Sequence, residues 1–295
     1  CHNPTVPAYS DTSFERGLVM RKLQVVTGGT SGMGLATARA LGIFGPVLVG
    51  GRNEKRLEAA LAQLEEAGVE AYGKTCDIAD CASLDEFAAY AASLAPLGNV
   101  INAAGVDAGG GELIVKVNMV GTVNFVEAFL PYLEPGARLV NFSSITGYFV
   151  QPTPKEREIW DEPSHPDFYE RAKAAIEERE VPEAMARMGE DYRYYPISKT
   201  FTQYYTRANT KRFGERGCQI FSIAPGAFDT PMLRESDDAA LAGVAAGTAF
   251  GRLGQPEEMA DFIVRLLEPG HDYLTGVDLI LDGGKFGMTT AKQLA

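Results

Sequence analysis

The chain of 295 residues is poor in the side chains that most often announce a site. It has three histidines, four cysteines and one tryptophan. His2, His165 and His271 are scattered, so no metal-ligand spacing is readable and no metal site is expected. Cys1, Cys76, Cys81 and Cys218 show neither Cys-x-x-Cys spacing nor disulfide-rich density, which fits free thiols and a cytoplasmic location. Positive charge is also scarce: a net charge of −12 argues against a nucleic-acid partner. No uninterrupted apolar run is long enough to suggest a membrane span. Residues 1–19 mix Pro, Ser, Asp and Arg without an apolar stretch, and read as a disordered extension or leader ahead of a start at Met20.

What is abundant is glycine, 32 residues in all, and its placement carries the reading. Leu23-Gln24-Val25-Val26-Thr27 runs into Gly28-Gly29-Thr30-Ser31-Gly32-Met33-Gly34, and a helical pattern follows at once. A short apolar run of this kind reads as a buried parallel strand. Glycines after it permit a tight turn, and bare backbone N–H groups at the start of a helix favour phosphate. Further apolar runs end in polar residues: Val47–Gly51 before Arg52 and Asn53, Glu70–Thr75 before Asp77 and Ile78, and Asn99–Ile101 before Asn102-Ala103-Ala104-Gly105. The runs Arg138–Phe142, before Ser143 and Ser144, and Gln219–Ala224, before Pro225 and Gly226, complete the set. Strands alternating with helices predict one α/β domain, a doubly wound parallel sheet, whose strand ends share one binding edge.

These segments resemble the short-chain dehydrogenase/reductase family from about Leu23 to Gly284. The match rests on Thr27-Gly28-x-x-x-Gly32-x-Gly34, Asn102-Ala103-Ala104-Gly105, Lys116-Val117-Asn118, Ser143-Ser144, Tyr195-Pro196-Ile197-Ser198-Lys199 and Pro225-Gly226-Ala227-Phe228-Asp229-Thr230. The resemblance implies a Rossmann-type fold and a catalytic set of Asn118, Ser144, Tyr195 and Lys199. It also implies a cofactor site formed by Gly28, Thr30, Ser31, Gly32, Met33, Gly34, Arg52, Asn53, Asp77, Ile78, Asn102, Ala103, Ala104, Gly105, Tyr195, Lys199, Pro225, Gly226, Phe228 and Thr230. Residues 231–250 would be a mobile segment on the substrate side.

Where NAD-binding relatives carry an acidic residue, this chain has Gly51 and Arg52. A guanidinium pairs with a 2′-phosphate that a carboxylate would repel, so NADP(H) is expected. The alternative leaves Arg52 as a solvated residue before a helix over 54–66. Asp77 likewise reads either as an adenine contact or as an ordinary turn residue. A second Tyr-x-x-x-Lys pair, Tyr169 and Lys173, sits in a charged helical stretch. Its interval to Pro225 is 56 positions, against 30 for Tyr195, so Tyr195 is taken as the acid.

The chain departs from the family between Ser144 and Tyr195, which lie 51 positions apart. The insertion, about residues 149–193, is expected to be helical near 167–180 and 182–189. It reads either as a lid whose Trp160, Phe168, Met185 and Met188 meet an apolar substrate, or as a surface element altering subunit contacts. Together with a short loop before Asn118, it is similar to bacterial 3α-hydroxysteroid dehydrogenase/carbonyl reductases. The resulting expectation is an NADP(H)-dependent alcohol dehydrogenase or ketone reductase acting on a hydroxysteroid or bile acid, in a homo-oligomer (dimer or tetramer). The alternatives are a 3-oxoacyl-thioester reductase and a non-catalytic NADP-sensing protein.

Overall fold

Apolar strand sequences predict a sheet buried on both faces, and the computed structural model contains one. It describes residues 21–235 and 238–294; the expected leader, residues 1–19, and Met20 lie outside them. Seven parallel strands form a single sheet in the order β3-β2-β1-β4-β5-β6-β7. They are β1 (Leu23–Thr27), β2 (Val47–Gly51), β3 (Ala71–Thr75), β4 (Leu97–Asn102), β5 (Arg138–Phe142), β6 (Gln219–Pro225) and β7 (Asp278–Leu281). The order reverses between β1 and β4, the crevice where such sheets bind ligands. Register brings Thr27 level with Asn102, and Asn102 level with Asn141.

Helices cover both faces. Helix α1 (Gly32–Leu41) follows the glycine turn, α2 (Glu54–Glu66) is capped by Asn53, and α3 (Cys81–Leu94) is capped by Asp80. Helix α4 (Gly111–Tyr132) is long and apolar enough to cross a membrane by length and composition, but most of it is buried within the protein. Ile114, Val115, Val117, Met119, Phe125, Val126 and Phe129 belong to the core, which accounts for its apolarity. Residues Val115–Val120 of this helix form a π-turn, a local irregularity common at functional sites.

The insertion contains α5 (Pro154–Trp160) and α6 (Phe168–Glu177), and α7 (Tyr195–Ala208) follows it. The sequence reading missed α5, although Thr153 and Glu156 form a capping box around Pro154. Helix α8 (Asp238–Ala246) occupies part of the segment expected to be mobile; α9 (Pro256–Leu267) packs on α1, and α10 (Lys285–Leu294) follows β7.

Two of the four side chains expected to meet a substrate are instead part of the core. Trp160 and Phe168 are 1% and 4% exposed. Their rings pack on Phe201 of α7, with centroid distances of 5.4 and 5.5 Å. Ala172, Ala175 and Ile176 complete the buried stripe of α6. Met188 is exposed, and the side chain of Met185 lies outside the described residues. The Tyr169/Lys173 pair stays on the surface of this element: Lys173 pairs with Glu177, and Lys116 lies over the Tyr169 ring.

Candidate active site

The glycine turn is built by close approach. Gly28 has φ +69°, and a Cβ there would lie 2.5 Å from the Ala104 nitrogen. A Cβ on Gly34 would meet the Gly28 carbonyl oxygen at 2.2 Å. Only bare backbone allows α1 to start hard against the end of β4. Ser31 makes no side-chain cap to α1, and the helix has no acidic residue in its first turn. Its first N–H groups therefore face the cleft as an anion cradle.

That cleft has a volume of about 400 Å³ and crosses the sheet's switch point. Gly28, Thr30, Ser31, Gly32, Met33 and Gly34 line it, together with Arg52, Asn53, Asp77, Ile78, Ala103, Ala104, Gly105 and Thr230. Arg56, in the first turn of α2, lines the cleft beside Arg52 and was missed in the sequence. A Cβ on Gly51 would lie 2.7 Å from Thr30 Cγ2, so Thr30 fills the room an acidic side chain would need. Asp77 also serves as a turn residue, accepting from the Ala79 N–H at 3.0 Å. Ile78 packs on Gly121 of α4.

Other expected cofactor residues stand back from the cleft wall. Asn102 lies within the sheet: Thr27 Oγ1 donates to its Oδ1 at 3.1 Å, and its amide reaches Asn141 Oδ1 at 3.4 Å. The Asn141 amide in turn donates to Thr206 of α7, so one polar chain ties three strands to the helix that carries Tyr195. Gly226 is held against Asp282 and Leu281 at the end of β6, where Pro225 terminates the strand. The Phe228 side chain also lies off this wall. It is 5% exposed and packs against Gly254 in the core with Met259 and Ile263, away from the main cleft. Its apolar ring is drawn inward by burial, while Thr230 remains on the wall.

Behind Gly105 and Phe142 of the cleft wall the structure brings Ser144, Tyr195, Lys199 and Asn118 together. Ser144 follows β5 and accepts from the Thr146 N–H at 3.2 Å and the Thr146 hydroxyl at 3.0 Å. With both lone pairs engaged, its own proton points elsewhere. Gly147 allows this turn to lie on α7, where a Cβ would meet the Lys199 carbonyl carbon at 2.9 Å. Tyr195 opens α7. Its phenol is pushed up to about 12, chiefly by burial, with a hydrogen bond from Ser144 opposing the rise and the carboxylate of Asp107 adding to it. Lys199 is 6% exposed and donates to the Phe142 carbonyl at 3.0 Å. Burial lowers its ammonium to about 8, with Asp107 and Asp278 opposing that fall. Desolvation thus dominates the Tyr195 phenol in the polypeptide by itself. The Lys199 Nζ lies 5.9 Å from the Tyr195 ring centroid.

Asn118, in the π-turn, grips the loop opposite. Its Oδ1 accepts from the Val106 N–H at 3.0 Å, and its amide donates to the Val106 carbonyl at 2.8 Å and to Ser198 Oγ at 3.0 Å. A Cβ on Gly105 would lie 3.1 Å from Lys199 Nζ and 3.4 Å from Asn118 Oδ1, so both groups reach one common point.

Two family models match in succession: short chain dehydrogenase over residues 22–155, and enoyl-(acyl carrier protein) reductase over 183–285. The chain belongs to the short-chain dehydrogenase/reductase family. The stretch between the two matches falls inside the insertion. Among relatives of this family, a putative ketoacyl reductase of Streptomyces coelicolor is 29% identical, over 89% of this chain and 96% of its own. A 3-alpha-hydroxysteroid dehydrogenase/carbonyl reductase of Comamonas testosteroni is 27% identical, over 88% and 95%. The crystal structure of an actinorhodin polyketide ketoreductase variant with NADPH is 26% identical, with a TM-score of 0.68 over 90% of this chain and 97% of that one.

Proposed function

We propose that this member of the family is an NADP(H)-dependent oxidoreductase that interconverts a secondary alcohol and a ketone. The observation that carries the reading is the meeting of Ser144, Tyr195 and Lys199 directly behind Gly105 and Phe142, two wall residues of a cleft that also holds Arg52 and Arg56. The arginines suit a 2′-phosphate, and the N-terminus of α1 suits the pyrophosphate. Bound nicotinamide would supply the hydride for reduction or accept it in oxidation.

The residues do the rest. Ser144, its lone pairs occupied by Thr146, donates a hydrogen bond to the substrate oxygen and orients the carbonyl. Tyr195, held protonated by burial, gives its proton to that oxygen as the alkoxide forms, and takes it back in the oxidative direction. Lys199 places a positive charge beside the phenol and would hold the nicotinamide ribose. Asn118 holds Val106 and, with Lys199, offers a water near Gly105 two polar partners for proton relay.

A hydroxysteroid is the favoured substrate, supported by likeness to the Comamonas enzyme. A 3-oxoacyl thioester is the second reading, supported by the ketoacyl reductase relatives. We place the protein in the cytoplasm as a homo-oligomer. The insertion packs on α4 and α7, the helices through which relatives associate, so a dimer through another face fits better than the usual tetramer. NADPH and NADH oxidation measured against oxo-steroids, small ketones and acetoacetyl thioesters tests the reading. Turnover of ketones with NADPH supports it. Cofactor binding without turnover of any class moves the protein to the sensing role instead.

A further inference from the structure

We propose that Asp107 makes the substrate end of the cleft favour a cationic group beside the reacting carbon and disfavour an anionic one. The inference rests on reading this cleft as an alcohol/ketone oxidoreductase site.

Asp107 is half-buried and lines the cleft with Val106 and Ala108, near Pro231 and Met232. Its carboxylate acts on Tyr195 and Lys199, and also on Tyr192 from the last turn of the insertion. Asp107 stands two residues after Gly105, where an added Cβ would lie 3.1 Å from Lys199 Nζ, and next to Val106, which Asn118 holds, so its loop runs beside the catalytic set and not out at the rim. The neighbouring wall of Val106, Ala108, Pro231 and Met232 is mostly apolar, which strengthens a charge interaction there relative to water.

The loop that carries Asp107 is fixed on both flanks. On one side Asn118 holds both the N–H and the carbonyl of Val106. On the other, Asp191 of the insertion accepts from the N–H groups of Gly109 and Gly110, at 3.2 and 3.0 Å. Those glycines have φ of +104° and +92°, a backbone that lets successive N–H groups converge on one carboxylate. A charge fixed in this way meets a ligand with little further ordering cost, so it discriminates between ligands by sign. The short loop and the long insertion thus form one device: the insertion supplies the clamp and Tyr192, and the loop supplies the charge.

The test is calorimetric titration of the NADP⁺-bound protein with benzyltrimethylammonium and with phenylacetate, two ions of similar size and opposite charge, in the wild type and in Asp107→Asn. The expected result is a cation bound roughly tenfold more tightly than the anion, with most of that ratio lost in the variant. NADP⁺ affinity, measured in parallel, checks that the variant cleft is folded. Equal binding of the two ions by the wild type overturns the proposal. So does a ratio that survives Asp107→Asn, the outcome expected if Asp107 acts only as a counter-charge for Lys199. Binding is read independently of turnover, so a protein that reduced no ketone would refute the reaction, whereas ketone turnover with indifferent ion binding would refute this proposal alone.

Discussion

The indole of Trp160 meets the ring of Phe201 edge-on, with centroids 5.4 Å apart and planes at 76°. The first residue lies in the insertion and the second is two positions beyond Lys199 on α7. The insertion is therefore part of the core that holds the Tyr195 helix in place. Trp160→Ala is expected to destabilise the protein by about 3–5 kcal/mol, the usual cost of removing a large buried aromatic side chain. Urea unfolding checks this; a loss below about 1 kcal/mol would show that the contact contributes little.

Much of this architecture is legible in the sequence. Val25, Val26, Val47, Val49 and Val100 lie in short apolar runs between turn signals, and all are fully buried in strands. The glycine turn and the Tyr195 helix fall where their local patterns place them. The insertion was harder, because a buried Trp160 and a substrate-facing one have the same local sequence. The better signal was the spacing of Phe168, Ala172, Ala175 and Ile176, a stripe typical of a core-facing helix. The burial of Phe228 was equally hard to read: a motif fixes backbone, while the ring goes where it can be buried. Asp107 and Asp191 gave no local signal at all, since they meet only once the loop and the insertion have folded.

Cofactor choice should respond to the two arginines. Arg52→Asp removes a partner for a 2′-phosphate and adds a charge that repels it, so the ratio of kcat/KM for NADPH to that for NADH should fall by tenfold or more. Arg56→Ala should shift the ratio in the same direction by a smaller factor. Steady-state kinetics with both cofactors decide the point, and an unchanged ratio in Arg52→Asp would remove Arg52 from the site.

The Lys199 ammonium sets a pH limit. Burial takes it from the ordinary 10.5 to about 8, so its charge is complete below that value and is lost as pH rises through it. Ketone reduction should therefore decline above about pH 8, while Tyr195, pushed up to about 12, keeps its proton throughout that range. Asp278 favours the charged lysine and accepts from Ser143 and Ser222. Asp278→Asn should move the decline to lower pH, and a profile that stays put would show that Asp278 acts only through those serines. The same shift works on stability with the opposite sense. Between about 8 and 10.5 an unfolded lysine binds the proton that folded Lys199 releases, so this group stabilises the fold progressively as pH rises there.

The Asp191 clamp predicts a coupling between insertion and loop. Asp191→Ala frees the Gly109 and Gly110 N–H groups, and amide hydrogen exchange over residues 105–111 should quicken while exchange in β4 stays slow. Uniform exchange before and after the substitution would mean that Asn118 alone holds the loop.

The central claim is that Tyr195, and not Tyr169, delivers the proton, and parallel kinetics of Tyr195→Phe and Tyr169→Phe test it most directly. With NADPH and a ketone that the wild type reduces, Tyr195→Phe should lower kcat by about 10²–10⁴-fold with NADPH affinity preserved, while Tyr169→Phe should retain near-normal turnover. Full activity in Tyr195→Phe, or an equal loss in Tyr169→Phe, would contradict the account.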